Sequence, residues 1–424
     1  MMSNNKRWMI VFWIFVINMI AYMDRINLAV AAPVLMTDLN ISPSQMGLIM
    51  SAFLIGYAAL NFLGGIIADR FSPGKMLAVI TIFWSLMTFM TGMAWSFLSF
   101  MIIRIIFGMC EGPLPTVNSK LVNNWVLPNE RGTASGLWLV AMMLGTFIGA
   151  PLSSLIISKW GWHYVFYLFA AVGLILGVLI VRTVKSRPED NKSISDNELK
   201  LINDSISEHQ AGQLKANIQP LGLGAVLRNP WSWAFAIAYS AGAFLFWANM
   251  TWLPTYFVKA RGTTLLKAGI YAGLPYLLGM FGPMLFGLLS DKLTKGWRSP
   301  WNIVSQIIIV PAVILAVNAP TVELCLLGFC VAIFLQWATI PLTYAMIMDL
   351  FPANAVASVT GFMIMWGSVA GIISPIIVGY IYESTGSFNK PYYYFLIGIV
   401  VSIVMSCAIF FRERSVRRAK GLLG

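Results

Sequence analysis

Charge is scarce in this chain. Only 10% of its 424 residues are Asp, Glu, Lys or Arg, against 58% hydrophobic; a soluble domain carries about 25% charged and roughly 45–50% apolar residues. A water-soluble fold could not hide that much apolar surface, so the solvent is lipid. Histidine is rarer still, with two residues. His163, at the outer end of the sixth apolar run, and His209, in a polar segment, read as solvated groups and poor pH switches. The four cysteines, Cys110, Cys325, Cys330 and Cys407, lie in apolar stretches without metal-ligand or secreted-domain spacing. They are expected to pack as small apolar residues, and no metal site is expected. No Gly-Lys-Ser/Thr nucleotide loop is present, so ATP-driven transport has no support. No Ser/His/Asp constellation appears at membrane depth, so an enzyme is not expected. No cofactor is expected.

What is present is a series of apolar runs long enough for helices of about 20 residues, the length that spans a bilayer. A β-barrel would instead alternate over about ten residues. Six runs fall near 8–33, 46–68, 76–93, 97–122, 132–157 and 162–181, and six more near 230–257, 268–290, 301–318, 322–348, 356–381 and 392–411. Lys6, Arg7 and the run from Trp8 to Ala21 imitate a signal peptide, with Ala29-Val30-Ala31 as cleavage site. Asp24 and Arg25 between them, and the spans beyond, favour an uncleaved first helix.

The formal net charge is +12, which in a soluble protein would suggest nucleic acid. Here the positive residues sit in loops and at the ends. Placing both termini on one side puts 21 Lys and Arg there and five on the other (Lys159, Lys259, Arg261, Lys267, Lys390), with Arg25 and Arg104 inside spans. That bias predicts both termini in the cytoplasm.

Two halves are expected, 1–183 and 230–424 with a basic cytoplasmic tail, joined by a cytoplasmic linker 184–229. Gly65-x-x-x-Asp69-Arg70 is echoed by Gly287-x-x-x-Asp291-Lys292, so that Asp291 follows Asp69 by 222 positions; Pro352 and Pro375 follow Pro128 and Pro151 by 224 each. Shifts that agree to within two positions point to an internal repeat. In the linker, Ser195-x-x-Glu198 resembles a capping box, predicting a short amphipathic helix near Asp196–His209 without chemistry of its own.

Charges at membrane depth cost about 2.5–3.5 kcal/mol each on insertion scales and are usually functional. Asp24 and Arg25 in the first span, and Arg104 and Glu111 in the fourth, are the candidates. Arg104 and Glu111 are seven apart and share a helix face. An arginine fork suits a substrate carboxylate, leaving Asp24 and Glu111 to carry protons: an arriving anion occupies the arginine and frees a carboxylate. The alternative is an ion cluster that only pairs helices. The glycine-aspartate-basic loops (Gly65, Asp69, Arg70 and Gly287, Asp291, Lys292) read as a conformational latch built on close helix approach, or as ordinary positive loops.

These residues carry a resemblance. The repeated Gly-x-x-x-Asp-Arg/Lys loop is similar to the signature of the major facilitator superfamily. Tyr22-Met23-Asp24-Arg25-Ile26-Asn27, Arg104-x-x-x-Gly108-x-x-Glu111-Gly112-Pro113, Trp125 with Glu130-Arg131-Gly132, Trp252-Leu253-Pro254-Thr255-Tyr256 and Gly273-Leu274-Pro275-Tyr276 resemble its anion:cation symporter branch. The resemblance covers nearly the whole chain. It implies an all-α membrane fold of twelve helices in two pseudo-symmetric six-helix bundles, with proton-coupled transport of sugar acids such as galactonate, glucarate or hexuronates, or of other organic anions. It implies Tyr22, Arg25, Tyr57 and Arg104 around the substrate, with Asp24 and Glu111 as the protonating pair. Sugar-acid members carry Asn or Ser after the fifth-span glycine and Asn in the eleventh span. Leu139-Val140-Ala141 and Met363-Ile364-Met365 here imply a less polar cavity, suited to a smaller or partly aromatic carboxylate. Asn249, Gln336, Trp337, Trp366 and Ser368 are the second-half candidates for orienting a ligand, with ordinary packing as the alternative for each.

The expectation is a proton-coupled importer of a small organic anion in a bacterial inner membrane. It works by alternating access around a midplane site, as a monomer, with the anion, protons and the bilayer as partners and no nucleic acid. A multidrug exporter of the same fold is the first rival, though it has less reason for two buried arginines. A transporter-like sensor is the second, though the linker and the basic tail Arg412–Lys420 are short for an output domain.

Overall fold

Apolar sequence punctuated by Pro, Gly and capping residues folds here into helix and little else. The computed structural model describes the backbone of residues 5–216 and 222–419, and their side chains except those of 62–70, 209–216, 223 and 353. Among the described residues, twelve helical segments are long and apolar enough to cross a membrane. The chain divides into two units, residues 1–41 with 48–217, and residues 42–47 with 218–424.

The first unit contains α1 (Lys6–Asp38), α2 (Pro43–Arg70), α3 (Pro73–Gly92), α4 (Phe97–Glu111), α5 (Leu114–Trp125), α6 (Arg131–Trp160), α7 (Trp162–Thr183) and α8 (Asp196–Ala216). The second contains α9 (Leu223–Arg228), α10 (Pro230–Lys259), α11 (Leu265–Gly279), α12 (Gly282–Leu293), α13 (Ser299–Asn318), α14 (Val322–Leu350), α15 (Ala353–Thr385) and α16 (Asn389–Ala419). Helix starts follow local chemistry. Ser96 and Ser99 form a reciprocal cap at α4, and the Thr321 hydroxyl accepts from Leu324 N at α14.

Packing repeats between the units. In the first, α1 lies along α6 and α3 along α7; in the second, α10 lies along α15 and α13 along α16. Helix starts carry the same shift as the sequence motifs: Pro230 follows Lys6 by 224 positions and Ala353 follows Arg131 by 222. Two expected single spans are each broken. The fourth becomes α4 and α5 around Gly112-Pro113, and the eighth becomes α11 and α12 around Met280-Phe281. Proline supplies no N–H to the helix ladder, and Pro113 and Pro283 sit at these breaks.

The segment after α7 is pinned to the first unit. The Ser186 hydroxyl accepts from Gly74 N (3.0 Å) and is bonded to the Ser72 hydroxyl, the Asn124 amide donates to Ser186 O (3.0 Å), and the Trp125 indole donates to Lys185 O (3.0 Å). The amphipathic helix expected near Asp196–His209 is present and runs on to Ala216. Its capping box forms only in part. Glu198 N donates to the Ser195 hydroxyl (3.3 Å), while the Glu198 carboxylate turns away to the start of α1.

Candidate functional site

The buried charges gather inside the first unit because glycine lets α2 and α4 touch. A Cβ on Gly56 would stand 2.0 Å from Ile105 O, and one on Gly108 would stand 2.0 Å from Phe53 O. Small residues of this kind are what allow membrane helices to meet backbone to backbone. The contact carries Phe53 and Tyr57 of α2 over the arginines.

Arg25 and Glu111 form an ion pair at the centre. Arg25 Nε donates to Glu111 Oε2 at 2.8 Å, and Arg25 Nη2 lies 2.7 Å from the same oxygen; the two side chains are 9% and 0% exposed. Three rings enclose the guanidinium, those of Tyr22, Phe53 and Tyr57, with centroids at 4.6, 4.9 and 4.9 Å. A cation so surrounded is held by ring quadrupoles as well as by its carboxylate. Arg104 lies beside this pair, 5.2 Å from the Phe53 centroid and 4.7 Å from that of Phe107. Among the described residues its Nε has no hydrogen-bond partner.

Asp24 is buried one residue before Arg25 and faces Trp84 and Thr88 of α3. Asn27, one turn on, donates to Asp24 Oδ1 at 3.5 Å. Among the described residues Asp24 Oδ2, Asn27 Oδ1 and Glu111 Oε1 have no partner. Buried polar atoms are normally satisfied, so this cluster has unfilled capacity for a ligand or water. Six of the residues singled out in the sequence, Tyr22, Asp24, Arg25, Tyr57, Arg104 and Glu111, therefore meet here. Phe53, Phe107, Trp84 and Asn27 were not singled out. Asn27 was detectable at one helical turn from Asp24, whereas the aromatic residues look like ordinary apolar sequence until the helices are packed.

The second-half candidates are engaged within their own unit. Asn249 is buried and accepts from the Tyr392 hydroxyl (3.1 Å), while the Gln336 amide donates to Gly242 O (2.5 Å). The Ser368 hydroxyl donates back to Ile364 O (3.0 Å). Trp337 packs edge-on to Phe246 at 5.5 Å, and Trp366 packs against Trp233 at 5.6 Å. Spare capacity persists on Asn249 Nδ2, Gln336 Oε1 and the indole nitrogens of Trp337 and Trp366, none of which has a partner among the described residues.

Of the latch residues, the side chains of Gly65, Asp69 and Arg70 lie outside the described residues. Among the described residues Gly287 serves no close approach: a Cβ there would meet nothing within 4 Å. Asp291 lies 3.5 Å from Arg298, which also binds Asp349 at 2.5 Å. Lys292 closes α12 and is exposed. The buried carboxylate of Glu413, absent from the sequence candidates, accepts from Arg298 N (3.2 Å) and Ser299 N (3.0 Å) at the start of α13.

Two helical units with paired internal architecture, and buried ions at the heart of one of them, define a polytopic membrane carrier. The chain belongs to the Major Facilitator Superfamily, whose family model matches residues 14–367 and 304–423. It is accordingly a multi-pass membrane transporter and not an enzyme. It is 33% identical over 407 residues to the hexuronate transporter of Bacillus subtilis (strain 168), with 92% of each chain covered. It is 31% identical to the probable sulfoacetate transporter SauU of Cupriavidus necator, covering 88% of this chain and 86% of that one. A crystal structure of a bacterial homologue of the human lysosomal transporter Spinster, in an inward-facing and occupied conformation, superposes with a TM-score of 0.76 at 17% identity. It covers 98% of both chains.

Proposed function

We propose that this transporter imports a small organic anion together with protons across a bacterial inner membrane, by alternating access, with both termini in the cytoplasm. The reading is carried by one observation: a buried Arg25–Glu111 pair beside a second buried arginine, Arg104, whose Nε has no partner among the described residues. A buried guanidinium with an unfilled N–H is costly, and a substrate carboxylate is the natural group to fill it.

Arg104 then attracts the anion and Arg25 completes its binding, with Tyr22 and Tyr57 shaping the entry. Asp24 and Glu111 take and release protons. A proton on Glu111 weakens its hold on Arg25 and frees that guanidinium for the anion. By linkage an anion on Arg25 favours the proton on Glu111 by the same factor. The relatives named above support the anion class, one being a hexuronate transporter and the other a probable sulfoacetate transporter. Sugar acids and smaller two-headed anions are the candidates. Asn249, Gln336, Trp337, Trp366 and Ser368 would orient the rest of the molecule through the spare capacity some of them retain. The Asp69–Arg70 and Asp291–Lys292 loops would serve as the conformational latch, and the working unit is a monomer.

The test is a thermal-shift screen of the purified protein against carboxylates and sulfonates, followed by uptake into proteoliposomes with and without an inward proton gradient. Stabilisation scales with the logarithm of ligand excess over its dissociation constant. Stabilisation by lipophilic cations and none by anions would replace this reading with a multidrug exporter.

A further inference from the structure

Asn118 is a buried polar residue of the first unit that no role above accounts for. It is fully buried on α5, and neither atom of its amide has a hydrogen-bond partner among the described residues. An amide with both ends unsatisfied is rare in a native interior, and buried water is a common partner for such a group.

Its position is informative. Arg104, Glu111 and Asn118 are spaced by seven residues, and the two residues at the break, Gly112 and Pro113, keep right-handed helical dihedrals. Helical phase therefore carries through, and Asn118 continues the stripe of Arg104 and Glu111. At 1.5 Å per residue it lies about 10 Å from Glu111 toward Trp125, the end of the span beside which Glu130 meets Arg7 at the start of α1. Two prolines fall between them, Pro113 and Pro115. Neither has an N–H, so the carbonyls of Met109 and Glu111 cannot receive their usual helix bonds. Freed carbonyls in membrane helices are commonly satisfied by ordered water. α5 packs against α1 and α3, the helices that carry Asp24, Asn27, Trp84 and Thr88.

We propose that Asn118 is a positioning residue that holds water in a proton path between the Glu111 carboxyl and the Trp125 end of α5. The inference rests on the proton-carrying role given to Glu111. A carboxamide is well suited to such a path. It offers a donor and an acceptor at once, so it orients water in either direction, and it does not titrate, so it cannot trap the proton. Each water accepts one proton and passes one on. The net change is one proton moved between Glu111 and the solution at that end of the span.

The experiment follows proton uptake by Glu111 in the purified full-length protein in lipid, with time-resolved infrared spectroscopy after flash release of protons from a caged acid. The Glu111 carboxyl band is the one missing in Glu111→Gln. Asn118→Leu should slow its appearance at least tenfold, and Asn118→Ser, which readmits water, should restore most of the rate. The equilibrium titration midpoint should be similar in all three. Asn118→Val serves the same purpose if the leucine variant does not fold. Equal rates in wild type and the apolar variants overturn the water path while leaving the role of Glu111 standing. Absence of any Glu111 band in wild type from pH 4 to 9 instead overturns that role, and the path with it.

Discussion

The carboxylate of Glu198, in the segment joining the two halves, caps the first helix of the chain: it accepts from the backbone N–H of Lys6 at 3.0 Å and of Arg7 at 3.2 Å. The Arg7 side chain bonds the same carboxylate at 3.3 Å and reaches Glu130 through Nε at 2.9 Å. A helix N-terminus leaves N–H groups unpaired and favours negative charge. Glu198 meets both needs for α1 and thereby ties α8 to it. Glu413 does the same for α13 in the second unit.

Glu198→Ala should lower stability by about 2 kcal/mol, the scale of a lost cap with charged hydrogen bonds. The check is a thermal melt in detergent, with Glu208→Ala, on the exposed face of the same helix, as control. Equal midpoints for the two variants would mean that α8 does not secure α1.

Glu111→Gln should retain substrate counterflow, since a glutamine oxygen can still accept from Arg25, but should lose accumulation driven by a pH gradient. Normal concentrative uptake by this variant would remove Glu111 from the coupling. Arg25→Ala should abolish binding. It should also destabilise by about 3–5 kcal/mol, because it strands a buried carboxylate. Adding Glu111→Gln to Arg25→Ala should recover much of that stability without recovering binding.

Arg104→Ala should weaken anion binding at least tenfold, which corresponds to about 1.4 kcal/mol; it also removes the packing of the guanidinium on Phe53 and Phe107, so binding is read at a temperature where the variant is folded. Arg104→Lys keeps the charge without the planar fork and should bind between the two. Ligand-induced thermal shift reads both. A wild-type response in Arg104→Ala would place the anion elsewhere.

Gly108→Ala should destabilise by about 1–3 kcal/mol or more, because the added methyl meets the Phe53 carbonyl and not a movable side chain. Gly287→Ala should be neutral or stabilising by up to about 1 kcal/mol, since its methyl meets nothing among the described residues and alanine is the better helix former. Detergent melts of the pair decide between close packing and mere motif resemblance as the reason for each glycine.

Much of this was legible in the sequence. Apolar runs of bilayer length gave the spans, and the price of buried charge singled out Asp24, Arg25, Arg104 and Glu111 before any helix was packed. The capping of α1 by Glu198 was not legible, because the partners are 192 and 191 positions apart and Ser195 offered a local explanation for the same glutamate. Nor could sequence tell that Asn249 and Gln336 bond within their own unit. A polar side chain in a membrane helix finds a neighbouring carbonyl or hydroxyl as readily as a ligand. Asn118 was within reach, seven residues beyond Glu111, but asparagine carries no charge to mark it.

The Arg25–Glu111 contact uses one oxygen of the two. Two of the three guanidinium nitrogens converge on Oε2, and Oε1 has no partner among the described residues. Under the proposed coupling, acidification would load the second oxygen while the arginine is still held, so the asymmetry of a single carboxyl group would set the order of arrival: hydrogen ion first, cargo second. A carrier coupled in that way would idle in alkaline surroundings even when its cargo is abundant.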